Sequence, residues 1–294
     1  MAQAEIPVDL LNPGQVFACL GFMEAAEILC GPCEGGFVYS GSETLAQFRW
    51  RVQGDADPAR CTLDFLARAE ARGIAPQGSE LSTKKWKVET SDGGEIYPAP
   101  VPDSPATLAS IVTDDEHEIP IEHWLDGPHN GRENVKFWAG SGGYPGAALA
   151  RDALEIVAAQ GANRIADVAV NPFAFTAAMS SSFRFDWRRD YVPFDAGFSL
   201  NEHGSMTTVG YPLVELLAAI GLQHARPERP ERRNKLLYRY GVVGAILPTA
   251  FARAALGAAK LGFPHRTFRM RLDWPGQEGQ ARCIVETREE EIAR

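Results

Sequence analysis

Cysteine is scarce in this chain, and a net positive charge is absent. Five cysteines, at 19, 30, 33, 61 and 283, are scattered over 294 residues. That excludes a disulfide-stapled scaffold and points to a reducing compartment, the cytoplasm. No long uninterrupted apolar run is present: the most apolar stretch, Gly241 to Gly262, is broken by Pro248, Arg253 and Lys260, which excludes a membrane-spanning helix there. The opening "MAQAEIPVDLL" lacks a basic segment followed by an apolar one, so no signal peptide and no membrane partner are expected. No internal repeat is visible. A net charge of −9 argues against nucleic-acid binding over the whole surface. There is no GxSxG, no GxGxxG, no P-loop lysine and no closely paired carboxylate set. The expectation is therefore a protein without catalytic residues, metal or cofactor.

What is present is ample core material, 45% hydrophobic residues, punctuated by proline-started, glycine-ended helices. Helices are predicted over 12–29, from Pro58 to about Gly73, from Pro145 to Gly161, from Pro212 to Gly221, and from Pro248 to near Gly262. Asn12 is placed to cap the first of these, and Gln15 to reach back. Period-two alternation predicts strands at 183–187 and a hairpin over 266–287, with Phe268, Met270, Leu272 and Trp274 opposing Arg269, Arg271 and Asp273. Asn134 to Ala139 is a further strand candidate. Residues 76 to 118, with five prolines, read as a long loop or insertion. The fold class is α+β, with mixed helices and mostly antiparallel strands around one long irregular insertion. The parts divide as 1–75, a helix-strand-helix unit, 76–118, the insertion, and 119–294, an α+β part ending in the hairpin; a single compact domain is the alternative.

The stretch "CGPC" at 30–33 is the thioredoxin tetrapeptide. A reactive CxxC opens a helix, whose positive end lowers the pKa of the first thiol. Here Cys30 ends a helix and Phe37-Val38-Tyr39 reads as a strand, so a thiolate is disfavoured. The reading is a tight turn, with a thiol oxidoreductase as a remote alternative.

Positive charge is concentrated locally. "RPERPERRNKLLYRY", 226–240, holds six basic and two acidic residues, a balance of +4 that leaves −13 for the remainder. Such an island can hold one phosphate backbone while the rest repels it; its candidate contacts are Arg226, Arg229, Arg232, Arg233, Lys235 and Arg239. Lys84, Lys85, Trp86 and Lys87 combine one stacking ring with three cations. "AGSGGYPGAALA", 139–150, is a glycine-rich loop between a strand and a helix, suited to phosphate through its backbone amides, with Lys136 and Ser141 beside it. "SSSFRFDWRRDY" and the following segment to Asn201 bring Arg184, Trp187, Arg188, Arg189 and Asn201 close in sequence; arginine suits phosphate or guanine, and asparagine suits adenine. His117, His123 and His129, with Asp126, are the best metal or general-base candidates. Two of these histidines fall among aliphatics in a strand pattern, so structural roles are expected.

The segments "NPGQVFACLGFMEAAEIL", "EHWLDG", "KFWAGSGG", "SSSFRFDWRRDYVPFDAGFSLN" and "PLVELLAAIGLQHARP" run in order from Asn12 to Pro227. They resemble the Cas-eight-like subunit of type I-U (also called I-G) CRISPR effector complexes. The resemblance implies a non-catalytic subunit near the 5′ end of a guide RNA. Such a subunit contacts target duplex DNA at the flanking motif, or PAM, sits among other effector-complex subunits, and docks the helicase-nuclease; guide pairing reads the rest. The chain departs from typical large subunits in its shortness, with little room for a C-terminal helical bundle. A guide-RNA binding or processing subunit of the ferredoxin-like, RAMP type is the alternative, with a histidine such as His203 or His224 essential.

Overall fold

In the computed structural model, the residues described are 1–75, 80, 83–92, 108–121, 145–161, 164–190, 208–231, 233–234, 236–273 and 282–290. The chain begins with strand β1 (Ala2–Asp9), helix α1 (Pro13–Cys30), β2 (Cys33–Val38), β3 (Leu45–Val52), α2 (Pro58–Arg68) and β4 (Glu70–Ala75). There follow β5 (Thr90–Asp92), β6 (Ala109–Thr113), β7 (Glu118–Ile121), α3 (Gly146–Ile156), α4 (Ile165–Val170), β8 (Ala177–Met179), α5 (Trp187–Asp190), β9 (Thr208–Gly210) and α6 (Pro212–Gly221). The last elements are β10 (Leu237–Val243), β11 (Leu247–Pro248), α7 (Thr249–Leu256), β12 (His265–Asp273) and β13 (Cys283–Glu290). The α+β class with mostly antiparallel sheets is as the sequence predicts.

The first sheet runs β1-β3-β2-β11. β3 is antiparallel to both β1 and β2, so β1 and β2 are parallel with β3 inserted between them. The first six elements thus follow the β-α-β-β-α-β order of a ferredoxin-like unit, but β4 leaves for a second sheet, β5-β4-β6-β7. A third sheet runs β10-β12-β13, and β8 pairs with β9. Ile6, Val8, Phe48, Trp50 and Val52 point inward from the first sheet, as period two demands.

Helix α1 is the hub. Phe22 lies 4.9 Å from Trp50 of the first sheet, while Phe17 meets Tyr240 of the third sheet at 5.7 Å and Phe185 at 6.4 Å. The buried Tyr240 hydroxyl donates to the Leu10 carbonyl at 2.7 Å, closing the same junction. α1 and α6 cross at glycines: a Cβ on Gly21 would come within 1.9 Å of the Leu217 carbonyl oxygen, and one on Gly221 within 2.2 Å of that of Phe17. Only glycine permits backbones that close.

Several expectations are corrected. Asn12 stands at the N-cap of α1 but its side chain makes no capping hydrogen bond, and the Gln15 amide oxygen accepts instead from the Asp9 amide. The second helix ends at Arg68 rather than Gly73, because Ala71, Gly73 and Ala75 alternate inward on β4, whose residues Glu70 to Ile74 pair with β6. The last helix ends at Leu256 rather than near Gly262. Residues 183–187 form no strand: Arg184 takes a left-handed φ of 65° and Trp187 starts a short helix. The 76–118 segment is not wholly irregular, since it contains β5, β6 and a tight turn at Lys84–Trp86, and β7 starts at its end. The C-terminal hairpin forms as predicted, reaching Glu290 with a bulge at Arg271/Leu272. The predicted strand at 134–139 lies outside the described residues.

Candidate nucleic-acid interface

The arginine-rich segment singled out by the sequence is, where it is described, an internal structure. Asp186 and Glu215 are both 0% exposed. Glu215 accepts from the Phe185 and Asp186 amides at 3.2 and 3.1 Å, while Asp186 accepts from the Asn12 side-chain amide at 3.0 Å. Arg188 donates to Asp186 at 2.5 and 2.9 Å and to the Phe173 carbonyl at 3.0 Å, with its guanidinium 3.5 Å above the Tyr211 ring. Burial works to lower the pKa of Arg188, but its hydrogen bonds to Asp186 outweigh that and raise it. Asn12, Asp186, Arg188, Tyr211 and Glu215 come from three distant segments, and nothing in the sequence pattern signals that they meet. Arg184 and Trp187 are half-buried beside this knot. The Arg189 side chain and Asn201 lie outside the described residues.

The Lys84–Lys87 cluster is a built turn. Its 3₁₀ geometry ends with Lys87 at a left-handed φ of 56°. The buried Thr83 hydroxyl holds the turn at the Val88 carbonyl, 2.5 Å away, and Arg151 donates to the Trp86 carbonyl. Trp86 packs against Val88, Ala147 and Ala148 with the Lys85 ammonium 5.3 Å from its ring centroid. The ring is therefore an anchor, and Lys84, Lys85 and Lys87 are exposed.

The 226–240 island folds back on itself, Glu228 and Arg239 exchanging backbone hydrogen bonds of 2.8 Å. Arg226 and Arg233 are exposed and Arg229 is half-buried; Arg232, Lys235, Lys136 and Ser141 lie outside the described residues. Arg239 leads to a feature that the sequence did not assemble. In the register of the third sheet, Arg239 stands opposite Arg269, and Arg269 opposite Arg288. Three like charges abreast on neighbouring strands, about 4.8 Å apart, repel unless something intervenes. What intervenes is Glu290, to which both Arg239 and Arg269 donate, helped by Glu228 at 3.0 Å from Arg239. This row floors a groove of about 620 Å³ whose lining also includes Lys260, His265, Thr267 and Ala258. The opposite face of the sheet, with Tyr238, Tyr240, Phe268, Met270 and Leu272, is core. Sequence alternation shows Arg269 and Arg271 facing solvent, but strand register alone brings Arg288 beside them.

The open face of the first sheet is different. Arg49 pairs with Glu5 and Arg51 with Glu34, each directly across the strands, and among the described residues no aromatic ring stands beside them to stack a base. Cys30 and Cys33 have thiols pushed up to about 12, Cys30 by burial, then by contact with Cys61 and the charge of Asp57, and Cys33 by burial, then by the charge of Glu27. Both sit where the sequence places them, at the end of α1 and the start of β2. The His117 Nδ1 lies 3.4 Å from an Asp114 carboxylate oxygen; His123, His129, Asp126 and His203 lie outside the described residues, and His224 is exposed. Among the described residues, no three His, Cys, Asp or Glu side chains converge as metal ligands, and no helix is long and apolar enough to cross a membrane.

Fold and groove together define an α+β protein with an arginine-floored polar channel on its C-terminal sheet. No protein-family model, curated protein or solved structure matches this chain.

Proposed function

We propose that this chain is a non-catalytic, cytoplasmic subunit of a CRISPR RNA-guided DNA surveillance complex. It contacts the target duplex at the flanking motif or the guide RNA near its 5′ end, beside other effector-complex subunits, and helps recruit the helicase-nuclease. The observation that supports it is the arginine row Arg239-Arg269-Arg288, held in register across one sheet on an otherwise acidic molecule. Such a row suits phosphate, and a polymer held mainly by partners needs only local grip from this subunit. Co-expression with the products of neighbouring genes tests the reading. The expected result is copurification with an RNA of defined length, and gel shifts of target duplex that weaken in Arg269→Ala/Arg288→Ala. Purification free of both partners and RNA is the result that overturns it.

One observation favours a second reading. The β-α-β-β-α-β order of residues 1–75 is that of ferredoxin-like guide-RNA subunits, although that order serves many unrelated functions. This reading predicts that the purified chain alone binds tightly or cleaves repeat RNA, and that replacing His203 or His224 abolishes cleavage. The ring-free, charge-paired open face of the first sheet weighs against it, since ferredoxin-like RNA readers stack bases there.

A further inference from the structure

Resting on the reading above, we propose that the groove on the C-terminal sheet seats a phosphodiester backbone without regard to base sequence, and that the Glu290 carboxylate is an internal stand-in which a phosphate displaces. The groove's lining is charged almost throughout: Arg239, Lys260, Arg269 and Arg288 against Glu228, Glu289 and Glu290, with His265 at one end. Among the described residues its lining includes neither a benzene nor an indole ring, and no large aliphatic side chain. Among the described lining residues a base would find only the His265 imidazole and guanidinium planes to stack on, and a peptide would find no apolar pocket. Contacts that these cations make to phosphate position a backbone and carry no base information.

The site is elongated rather than point-like. From His265 to Arg269 the strand advances about 13 Å, and the arginine row spans about 10 Å across three strands. That extent fits a polymer of regularly spaced charges better than one small anion.

Glu290 lies where such an anion would bind. It accepts from Arg239 and Arg269 together, as a phosphate oxygen pair would. The other carboxylates are committed differently. Glu289 is paired with Arg266 at 2.6 Å, and Arg266 is tied further to the Ser42 and Glu43 carbonyls. Arg288, next in the row, has no carboxylate within ion-pairing distance among the described residues and is exposed, as is Lys260. Binding then begins at Arg288 and Lys260 and completes when the backbone takes the two guanidinium groups from Glu290. The displaced carboxylate belongs to the last residue of β13 and turns to water. No covalent bond changes.

Fluorescence anisotropy on the full chain, with a labelled single-stranded oligonucleotide and with its duplex, tests this. Glu290→Gln is expected to tighten binding roughly threefold or more at low salt, and to steepen the log K against log salt slope by about 0.7–0.9 for each arginine released. Glu228→Gln gives a smaller gain through Arg239 alone. Arg288→Ala and Lys260→Ala weaken binding, equally on sequences of different base composition. Tightening on one of the two nucleic-acid forms and not the other assigns the groove to that form. If Arg288→Ala and Lys260→Ala weaken binding while Glu290→Gln and Glu228→Gln leave it unchanged with unaltered unfolding temperatures, the stand-in is wrong and the interface stands. If none of the four variants alters binding, the interface and the stand-in fall together.

Discussion

A carboxylate removed from water needs donors on every side, and Asp186 has them from Asn12, Arg188 and the Arg188 amide. Removing one partner of such a set leaves a charge or a dipole unmatched in the interior, which costs more than the intact pair is worth. Asp186→Asn and Arg188→Ala are therefore each expected to lower stability by about 2–4 kcal/mol, read as a drop in thermal midpoint. A direct base-reading role for Arg188 would instead leave the midpoint in place and alter only DNA preference. Gly221→Ala meets a different obstacle, a Cβ forced within 2.2 Å of the Phe17 carbonyl and 2.7 Å of the Gly21 amide. Parting α1 from α6 is expected to cost about 1–3 kcal/mol, whereas Gly54→Ala, with nothing near its Cβ but a φ of 97°, costs only about 1 kcal/mol of backbone strain. The cysteines make the complementary case. With both thiols pushed up to about 12, Cys30 and Cys33 are expected to resist iodoacetamide at neutral pH in the folded chain. Rapid alkylation of Cys30 before global unfolding would revive the oxidoreductase reading.

At the scale of elements, the hairpin β12–β13 carries a titratable device. Burial works to raise the pKa of Glu290, but hydrogen bonds from Arg239 and Arg269 outweigh it and hold the carboxyl below the ordinary glutamate range; Glu289 is held low chiefly by Arg266. A folded pKa below the unfolded one means that the ion pairs stabilise the sheet fully above about pH 4.3 and are lost as pH falls through the lower folded value. Chemical-denaturation midpoints of the wild type are thus expected to fall between pH 5 and pH 3 by more than those of Glu289→Gln/Glu290→Gln; parallel curves would count against it. The hairpin was legible because its alternation is strict and its turn chemistry explicit. Helix starts were legible for the same kind of reason, Pro13, Pro58 and Pro212 each opening one. Helix ends were not: Gly73 reads as a stop but lies in β4, because the pairing of β4 with β6 overrides local punctuation. The 183–187 alternation misleads for a subtler reason. Phe183 and Phe185 are both buried, as in a strand, but the Arg184 amide goes to the Ser182 hydroxyl and the Phe185 and Asp186 amides to Glu215 rather than to a ladder. Of the interface, the sequence showed arginines on the outward face of the hairpin and the island ending at Arg239. It could not show the row, which exists only through the register of three strands.

For the whole molecule, the decisive quantity is the contrast between a charge of −9 and a local cationic groove. At about 10 mM salt the Debye length is about 30 Å, so the acidic body repels a polyanion approaching from any direction. At about 100 mM it shrinks to about 10 Å, and the repulsion is confined to surfaces away from the groove. Counterion release works the other way, weakening the direct arginine contacts as salt rises. These two dependences oppose each other at low salt and cease to do so once the body is screened. The isolated chain is therefore expected to give a plot of log K against log salt that is flat between about 10 and 100 mM and descends above that, as measured by anisotropy. A straight, steep descent across the whole range would mean that the acidic remainder does not act on the ligand. If, as proposed, the chain is held in a complex whose basic neighbours cover that remainder, the repulsion is removed there, and the flat region is expected to disappear while the slope above about 100 mM stays set by the groove.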